Sequence, residues 1–139
     1  MARTVKLAYG TSALLVTYVL VNVGLHHYND HVALTDQANA SLVERGRQAA
    51  EACTACHYLD QKANFIGPHL VALLGRSVAS VVQYEYSPAM RAHQGSWSAE
   101  RLAQFLTNPQ ATVPGTKMAV QGWSPEEVQA LVAYFKSKD

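Results

Sequence analysis

The sequence has few charged residues, only two cysteines and almost no strand-like alternation of apolar and polar residues. Charged residues make up 15% of the 139 residues, and the formal net charge at pH 7 is +1. No repeat and no low-complexity tract occurs along the chain. The missing alternation argues against a sheet-based fold. We therefore predict an all-α protein. The length allows one domain of about 100 residues plus an additional segment.

Charge is absent altogether from Leu7 to Leu25, a run of 19 residues. A helix of that length, at 1.5 Å per residue, comes close to the ~30 Å hydrocarbon thickness of a bilayer. Arg3 and Lys6 precede the run and Asp30 follows it. The positive-inside rule then places the N-terminus in the cytoplasm and the remainder of the chain on the outer face.

This run predicts a single N-terminal transmembrane helix and a three-part organisation. We expect a membrane anchor over residues 1–28, a polar linker over 29–40 and a folded domain over 41–139. The expected location is the cell inner membrane, single-pass, with the domain facing the periplasm. A cleaved signal peptide is the alternative, since Ala38-Asn39-Ala40 resembles a processing site. The apolar run is longer than a usual signal core and ends well before that site, which favours an uncleaved anchor.

Three helix starts are predicted within the outer domain. Ser41 with Glu44 three residues later forms a capping-box pattern before the first helix. Ser98 begins a second helix, which must end around Pro109. Ser124 is followed by proline and two acidic residues, a strong start for the last helix.

The two cysteines lie in the motif C-T-A-C-H at residues 53–57. Thiols at this spacing on one turn can each add across a vinyl group of a porphyrin. The histidine that follows can then donate an imidazole nitrogen to the iron. We therefore predict one covalently attached haem c, bound through Cys53 and Cys56, with His57 as an iron ligand.

Three other uses of a C-x-x-C motif remain as alternatives. A thioredoxin-like dithiol expects a βαβ pattern around it, and no strand run is found nearby. A structural zinc site expects a second pair of ligands at finger-like spacing, and none follows. A disulfide between residues this close would be strained and would close almost no loop.

From residue 43 to residue 138 the chain resembles the class I c-type cytochromes, of the mitochondrial and bacterial c2 kind. The resemblance rests on motifs in family order: R-G-R, C-T-A-C-H, I-G-P-H-L-V-A-L-L-G-R, Y-E-Y-S-P-A-M, a lone W, N-P-Q-A-T-V-P-G-T-K-M and L-V-A-Y-F-K. It implies the helical fold of that family, preceded here by the predicted transmembrane helix.

The resemblance also implies roles for individual residues. Met118, in P-G-T-K-M, corresponds to the second iron ligand, opposite His57. Met90 is the other methionine of the domain, and it matches a distal-pocket position that we interpret as core packing. The carbonyl of Pro68 corresponds to the acceptor for the far nitrogen of His57.

Further residues of the resemblance concern the propionates and the helix packing. Arg76, Tyr86 and Trp97 correspond to the donors that hold a buried haem propionate. Gly46 corresponds to the site where the first helix crosses the last, near Leu131 and Tyr134. Where many members carry a tyrosine beside the methionine ligand, the residue is Phe105, and two common lysine positions are Gln110 and Ala111.

The implied function is that of a membrane-anchored monohaem electron carrier rather than an enzyme. Its expected partners are the membrane and membrane-bound redox complexes: a quinol-oxidising complex, a terminal oxidase or a reaction centre. We expect no nucleic-acid partner and no small-molecule substrate. From Ser41 onward there are nine Lys and Arg against eight Asp and Glu, so electrostatic steering is weak. The alternatives are a permanent electron-transfer subunit of a larger oxidoreductase complex, or a haem peroxidase or gas sensor.

Overall fold

The computed structural model of the chain describes residues 10–138. Contacts divide the chain into two units, Met1–Ala38 and Asn39–Asp139. Residues 1–9 of the predicted anchor lie outside the described residues. The assignment of residues 1–28, 29–40 and 41–139 as anchor, linker and domain stays a prediction.

The first helix, α1, spans Gly10–Ala50 without interruption. The predicted helix start at Ser41 is therefore wrong. Residues 29–40 contain neither proline nor glycine, so nothing local stops the helix before Ser41 and no free backbone N–H groups need a cap there. Glu44 instead forms an ion pair with Arg47 at 3.0 Å on the helix surface.

Two observations on the described part of α1 concern the predicted transmembrane helix. Side chains from Leu15 to Leu25 are exposed apart from Asn22, which is half-buried. Between residues 10 and 138, however, no helix combines the length and the apolar character needed to cross a bilayer. Residues 7–9 of the predicted span lie outside this range.

The rest of the described chain consists of short helices joined by long irregular segments. A 3₁₀ turn, Glu51–Ala55, follows α1 directly and carries the first cysteine. The later helices are α2 (Pro88–Ala92), α3 (Ala99–Thr107), α4 (Pro109–Thr112) and α5 (Pro125–Lys138). Over residues 10–138, β-type pairing is limited to one isolated bridge between Ser77 and Ser96. The all-α prediction is confirmed.

Two of the predicted helix starts are also confirmed. The Ser98 hydroxyl accepts a hydrogen bond from the Arg101 amide at 3.2 Å, and α3 ends at Thr107, before Pro109. At α5, Ser124 Oγ accepts from the Glu127 amide at 3.3 Å. The Glu127 carboxylate accepts in turn from the Ser124 amide at 2.9 Å, which completes a capping box.

The core of the second unit forms where the end of α1, α3 and α5 meet. At Gly46 an added Cβ would lie 1.9 Å from the Ala130 carbonyl oxygen and 2.7 Å from Tyr134 Cβ. Only a residue without a side chain allows the two backbones to approach this closely. The buried cluster includes one residue near the end of α1, three from α3 and three from α5: Ala50, Leu102, Phe105, Leu106, Val128, Leu131 and Phe135.

Candidate haem site

The C-x-x-C-H motif begins in the 3₁₀ turn after α1 and continues past its end in a tight conformation. The amides of Cys56 and His57 both donate to the Cys53 carbonyl, at 3.1 and 2.9 Å. Both thiols are free, and Cys53 is buried. Burial raises the pKa of the Cys53 thiol to about 11. A redox dithiol needs a lowered thiol pKa, so the environment of Cys53 argues against the thioredoxin-like alternative.

The imidazole of His57 is held by the backbone of a segment eleven residues away. Its Nδ1 lies 2.6 Å from the Pro68 carbonyl oxygen. A carbonyl oxygen can only accept, so Nδ1 carries the proton and Nε2 keeps its lone pair. Burial lowers the pKa of His57. At neutral pH the ring is therefore uncharged and presents one nitrogen to a metal.

Gly67 fits against the same imidazole. A Cβ added to Gly67 would lie 2.3–2.8 Å from three atoms of the His57 ring, so any side chain there would displace it. The Gly67 amide also donates to the Cys56 carbonyl at 2.7 Å, which ties this loop to the cysteine motif. This contact was not among the predictions made from the sequence. Its one available signal was a glycine directly before the proline whose carbonyl holds His57.

Arg76 braces the loop that carries Pro68. Its guanidinium donates to the carbonyls of Val71 at 2.8 Å and His69 at 3.0 Å. It also lies 3.3 Å from Nδ1 of His69. Because an arginine has no acceptor, that nitrogen of His69 must be the acceptor and carries no proton. The contribution of Arg76 to a propionate site stays a prediction.

Tyr86 is half-buried and Trp97 is buried. The Tyr86 hydroxyl accepts from the Val81 amide at 3.3 Å, and burial raises the pKa of Tyr86. Trp97 is buried and its ring packs on Phe105, with centroids 5.2 Å apart. Their predicted role as propionate donors likewise stays a prediction.

The two methionines of the domain have different surroundings. Met90 lies in α2, is 8% exposed and belongs to the buried core. Met118 is partly buried and packs against the edge of that core. Its loop is held by Gln110, whose amide donates to the carbonyls of Thr116 and Met118, both at 3.2 Å. Lys117 Nζ donates to the Glu85 carbonyl at 2.6 Å.

These residues fit a covalently attached haem. The site offers the free thiols of Cys53 and Cys56 and the neutral imidazole of His57, whose Nε2 is available. The backbone of Gly67 lies against the imidazole ring. This donor chemistry suits haem iron. When bound, the haem supplies reversible one-electron exchange between its ferric and ferrous states. The contribution of the chain is to hold the His57 ring in one tautomer and to keep the loop from Gly67 to Val71 in place.

Comparison with known proteins gives the same result. A family profile described as Cytochrome c matches residues 43–139. The chain is 41% identical over 106 residues to a cytochrome c homolog of Rickettsia bellii, covering 75% of this chain and 60% of that protein. It is 49% identical over 86 residues to the cytochrome c-type cyt cy of Rhodobacter capsulatus, covering 61% of this chain and 43% of that protein. The chain thus spans about half the length of these two curated relatives.

Shorter relatives are matched over most of their length. Cytochrome c2 of Agrobacterium tumefaciens is 39% identical over 97 residues, which is 66% of this chain and 87% of that protein. Among solved structures, cytochrome cH from Methylobacterium extorquens is similar with a TM-score of 0.64 and 33% identity, covering 69% of this chain and 98% of that one.

Cytochromes c bind covalently attached haem c, and they are electron-transfer proteins, which disfavours the peroxidase alternative. Cys53 and Cys56 supply the C-x-x-C-H motif that this attachment needs. The chain belongs to the cytochrome c family, whose profile matches residues 43–139.

Proposed function

We propose that this cytochrome c is held at the inner membrane by residues 1–28 and passes single electrons between membrane-bound complexes on the periplasmic side. The observation that carries the proposal is the uncharged run from Leu7 to Leu25, whose described part exposes its apolar side chains. Tyr18 is 68% exposed and Leu20 is 67% exposed. Apolar side chains gathered on an exposed segment favour a membrane or protein contact over water.

We propose that two side chains of this chain, His57 and Met118, would hold the haem iron. His57 offers Nε2 because Nδ1 is engaged by the Pro68 carbonyl. Met118 is the other ligand, since Met90 is buried in the core and Met118 lies at its edge. With both positions filled, no site on the iron is open to a substrate. A haem held in this way would supply one-electron exchange without binding a substrate at the iron.

The tether accounts for the weak charge of the domain. Nine basic against eight acidic residues from Ser41 onward give little long-range attraction to a partner. An anchored protein depends less on such attraction, because the tether supplies a high local concentration near its partners. The partners proposed are membrane-bound redox complexes: a quinol-oxidising complex, a terminal oxidase or a reaction centre.

Membrane fractionation of the full chain tests the anchor. We expect the red protein to stay with the membranes after washing with high salt and at high pH, and to be released by a mild detergent. The matched control is the chain from residue 29, exported behind a cleavable signal, which we expect in the aqueous fraction. Full-length protein of intact mass in the salt wash would contradict the anchor.

A permanent subunit of a larger oxidoreductase complex is the second proposal, and the same near-neutral domain surface favours it. Purification of the native protein in mild detergent separates the two. A mobile carrier is expected to elute alone or in variable amounts with its partners. Elution in a fixed ratio with one complex, unchanged by salt, would favour the permanent subunit.

A further inference from the structure

Gln110 makes two hydrogen bonds to the loop that carries Met118. The two N–H groups of its side-chain amide are its only donors. The structure directs this amide to the Thr116 and Met118 carbonyl oxygens, each 3.2 Å from Nε2. One exposed side chain therefore spans the residues on both sides of Lys117.

The backbone of Gln110 is itself well fixed. It lies in α4, where Pro109 is fully buried. The Asn108 side chain caps the turn by accepting from the Ala111 amide at 3.0 Å. Gln110 thus connects the Met118 loop to an element that is anchored in the core.

Other hydrogen bonds also hold the loop: the amide of the buried Thr116 donates to the Val113 carbonyl at 2.9 Å. Met118 donates its amide to Thr116 Oγ1 at 3.3 Å, a contact within the loop. Lys117 reaches across to the Glu85 carbonyl. The hydrogen bond that the structure gives to the Met118 carbonyl comes from Gln110, so this side chain holds the backbone of the residue whose sulfur is to be positioned.

We propose that Gln110 is a positioning residue that keeps the Met118 loop closed and the Met118 sulfur at the iron. The inference rests on the proposed ligation by Met118. In the closed loop both Gln110 hydrogen bonds are made, and in an open loop both are lost to water. Replacing Gln110 then raises the fraction of open protein, in which the sixth position accepts a small ligand.

Titration of the ferric full-length protein with imidazole measures this fraction. The apparent dissociation constant equals the intrinsic one divided by the open fraction, so more open protein binds imidazole more tightly. We expect Gln110→Ala to tighten the apparent affinity by about tenfold, the size of effect that two exposed hydrogen bonds support. Without imidazole the methionine–iron charge-transfer band of the ferric spectrum is retained.

Two further variants separate the hydrogen bonds from packing. Gln110→Glu keeps the size of the side chain but removes both donors, so we expect the same tightening. Gln121→Ala removes another exposed glutamine, three residues after Met118, and we expect wild-type affinity. If both Gln110 variants bind imidazole like the wild type, the proposal is wrong, even if their melting temperatures fall.

Met118→Ala distinguishes this failure from failure of the proposed ligation. If that variant loses the charge-transfer band and binds imidazole readily while the Gln110 variants behave as wild type, ligation stands and the role of Gln110 is rejected. If Met118→Ala changes neither the band nor the affinity, Met118 is not the ligand. Both the proposed ligation and the role of Gln110 are then rejected.

Discussion

His57 shows how much of the haem site depends on single residues far from the cysteine motif. Its Nδ1 is engaged by the Pro68 carbonyl, and Gly67 lies flat against its ring. The Pro68 contact follows from resemblance to a known family. The Gly67 contact was missed, because the glycine before Pro68 is its one signal in the sequence and the contact itself depends on how the loop after Cys56 folds back in space.

The two methionines provide a direct prediction at this scale. Met118→Ala is expected to abolish the methionine–iron charge-transfer band and to open the ferrous iron to carbon monoxide, because the sixth ligand is removed. Met90→Ala is expected to keep the band and to lower the free energy of unfolding by about 2–5 kcal/mol, since it leaves a cavity in the core. Spectra and denaturant titrations measure both. Loss of the low-spin spectrum in Met90→Ala would reverse the assignment.

A second prediction concerns pH and His69. Burial, followed by the charges of Arg76 and Lys62, lowers the pKa of His69 below its ordinary value of 6.5. The unfolded chain therefore takes up this proton first as the pH falls, and stability decreases from about pH 6.5 down to the folded-state pKa. His69→Asn removes this contribution and keeps an acceptor for Arg76.

The expected result is a smaller drop in melting temperature for His69→Asn than for the wild type between about pH 7.5 and 5. The difference is less than about 1 kcal/mol, since His69 is only half-buried and solvent screens its interactions. The wild-type and variant proteins are compared in the same buffers. An equal drop in both proteins would mean that His69 does not contribute.

Among the helices, the starts that depend on local chemistry were predictable and the continuity of α1 was not. Ser98 and Ser124 cap α3 and α5 as their sequence patterns indicate. The same pattern at Ser41 misled, because serine and glutamate three residues apart also occur inside a helix when nothing before them stops it. The short helices α2 and α4 begin with Ser87-Pro88 and Asn108-Pro109, which are typical helix-start pairs. These two helices were not predicted, because no periodic run of apolar residues follows either pair.

Alanine substitutions at the two serines test this difference. Ser124→Ala removes a working N-cap and is expected to lower the free energy of unfolding by about 1 kcal/mol. Ser41→Ala lies within α1, where alanine is the better helix former, so its effect is expected within about 0.5 kcal/mol of zero. Denaturant titration of the haem-containing protein measures both. A loss of about 1 kcal/mol at Ser41 would indicate a helix start there.

For the molecule as a whole, the fold class and the haem followed from sequence, whereas no helix within residues 10–138 is long and apolar enough to cross a bilayer. The motif of residues 53–57 and the family motifs around it are local and specific, so the haem and the fold class could be predicted from them. Membrane insertion depends on the whole uncharged run from Leu7 to Leu25, and the described residues begin within this run, at Gly10.

The division into two units predicts that the haem domain folds without the N-terminal segment. Residues 29–139, exported behind a cleavable signal, are expected to give a red protein with the absorption spectrum and melting temperature of the full chain. The buried core cluster lies entirely within Asn39–Asp139, which is the physical reason. Failure of this shortened chain to incorporate haem, with normal export, would mean that residues 1–28 are needed for the fold.

The most direct test of the whole account is the mass of the denatured protein after extraction with acidified organic solvent. Thioether bonds at Cys53 and Cys56 survive this treatment, so we predict a polypeptide carrying the mass of one haem and retaining its colour. A colourless polypeptide of bare sequence mass, with the pigment released into the solvent, would contradict covalent attachment and the account built on it.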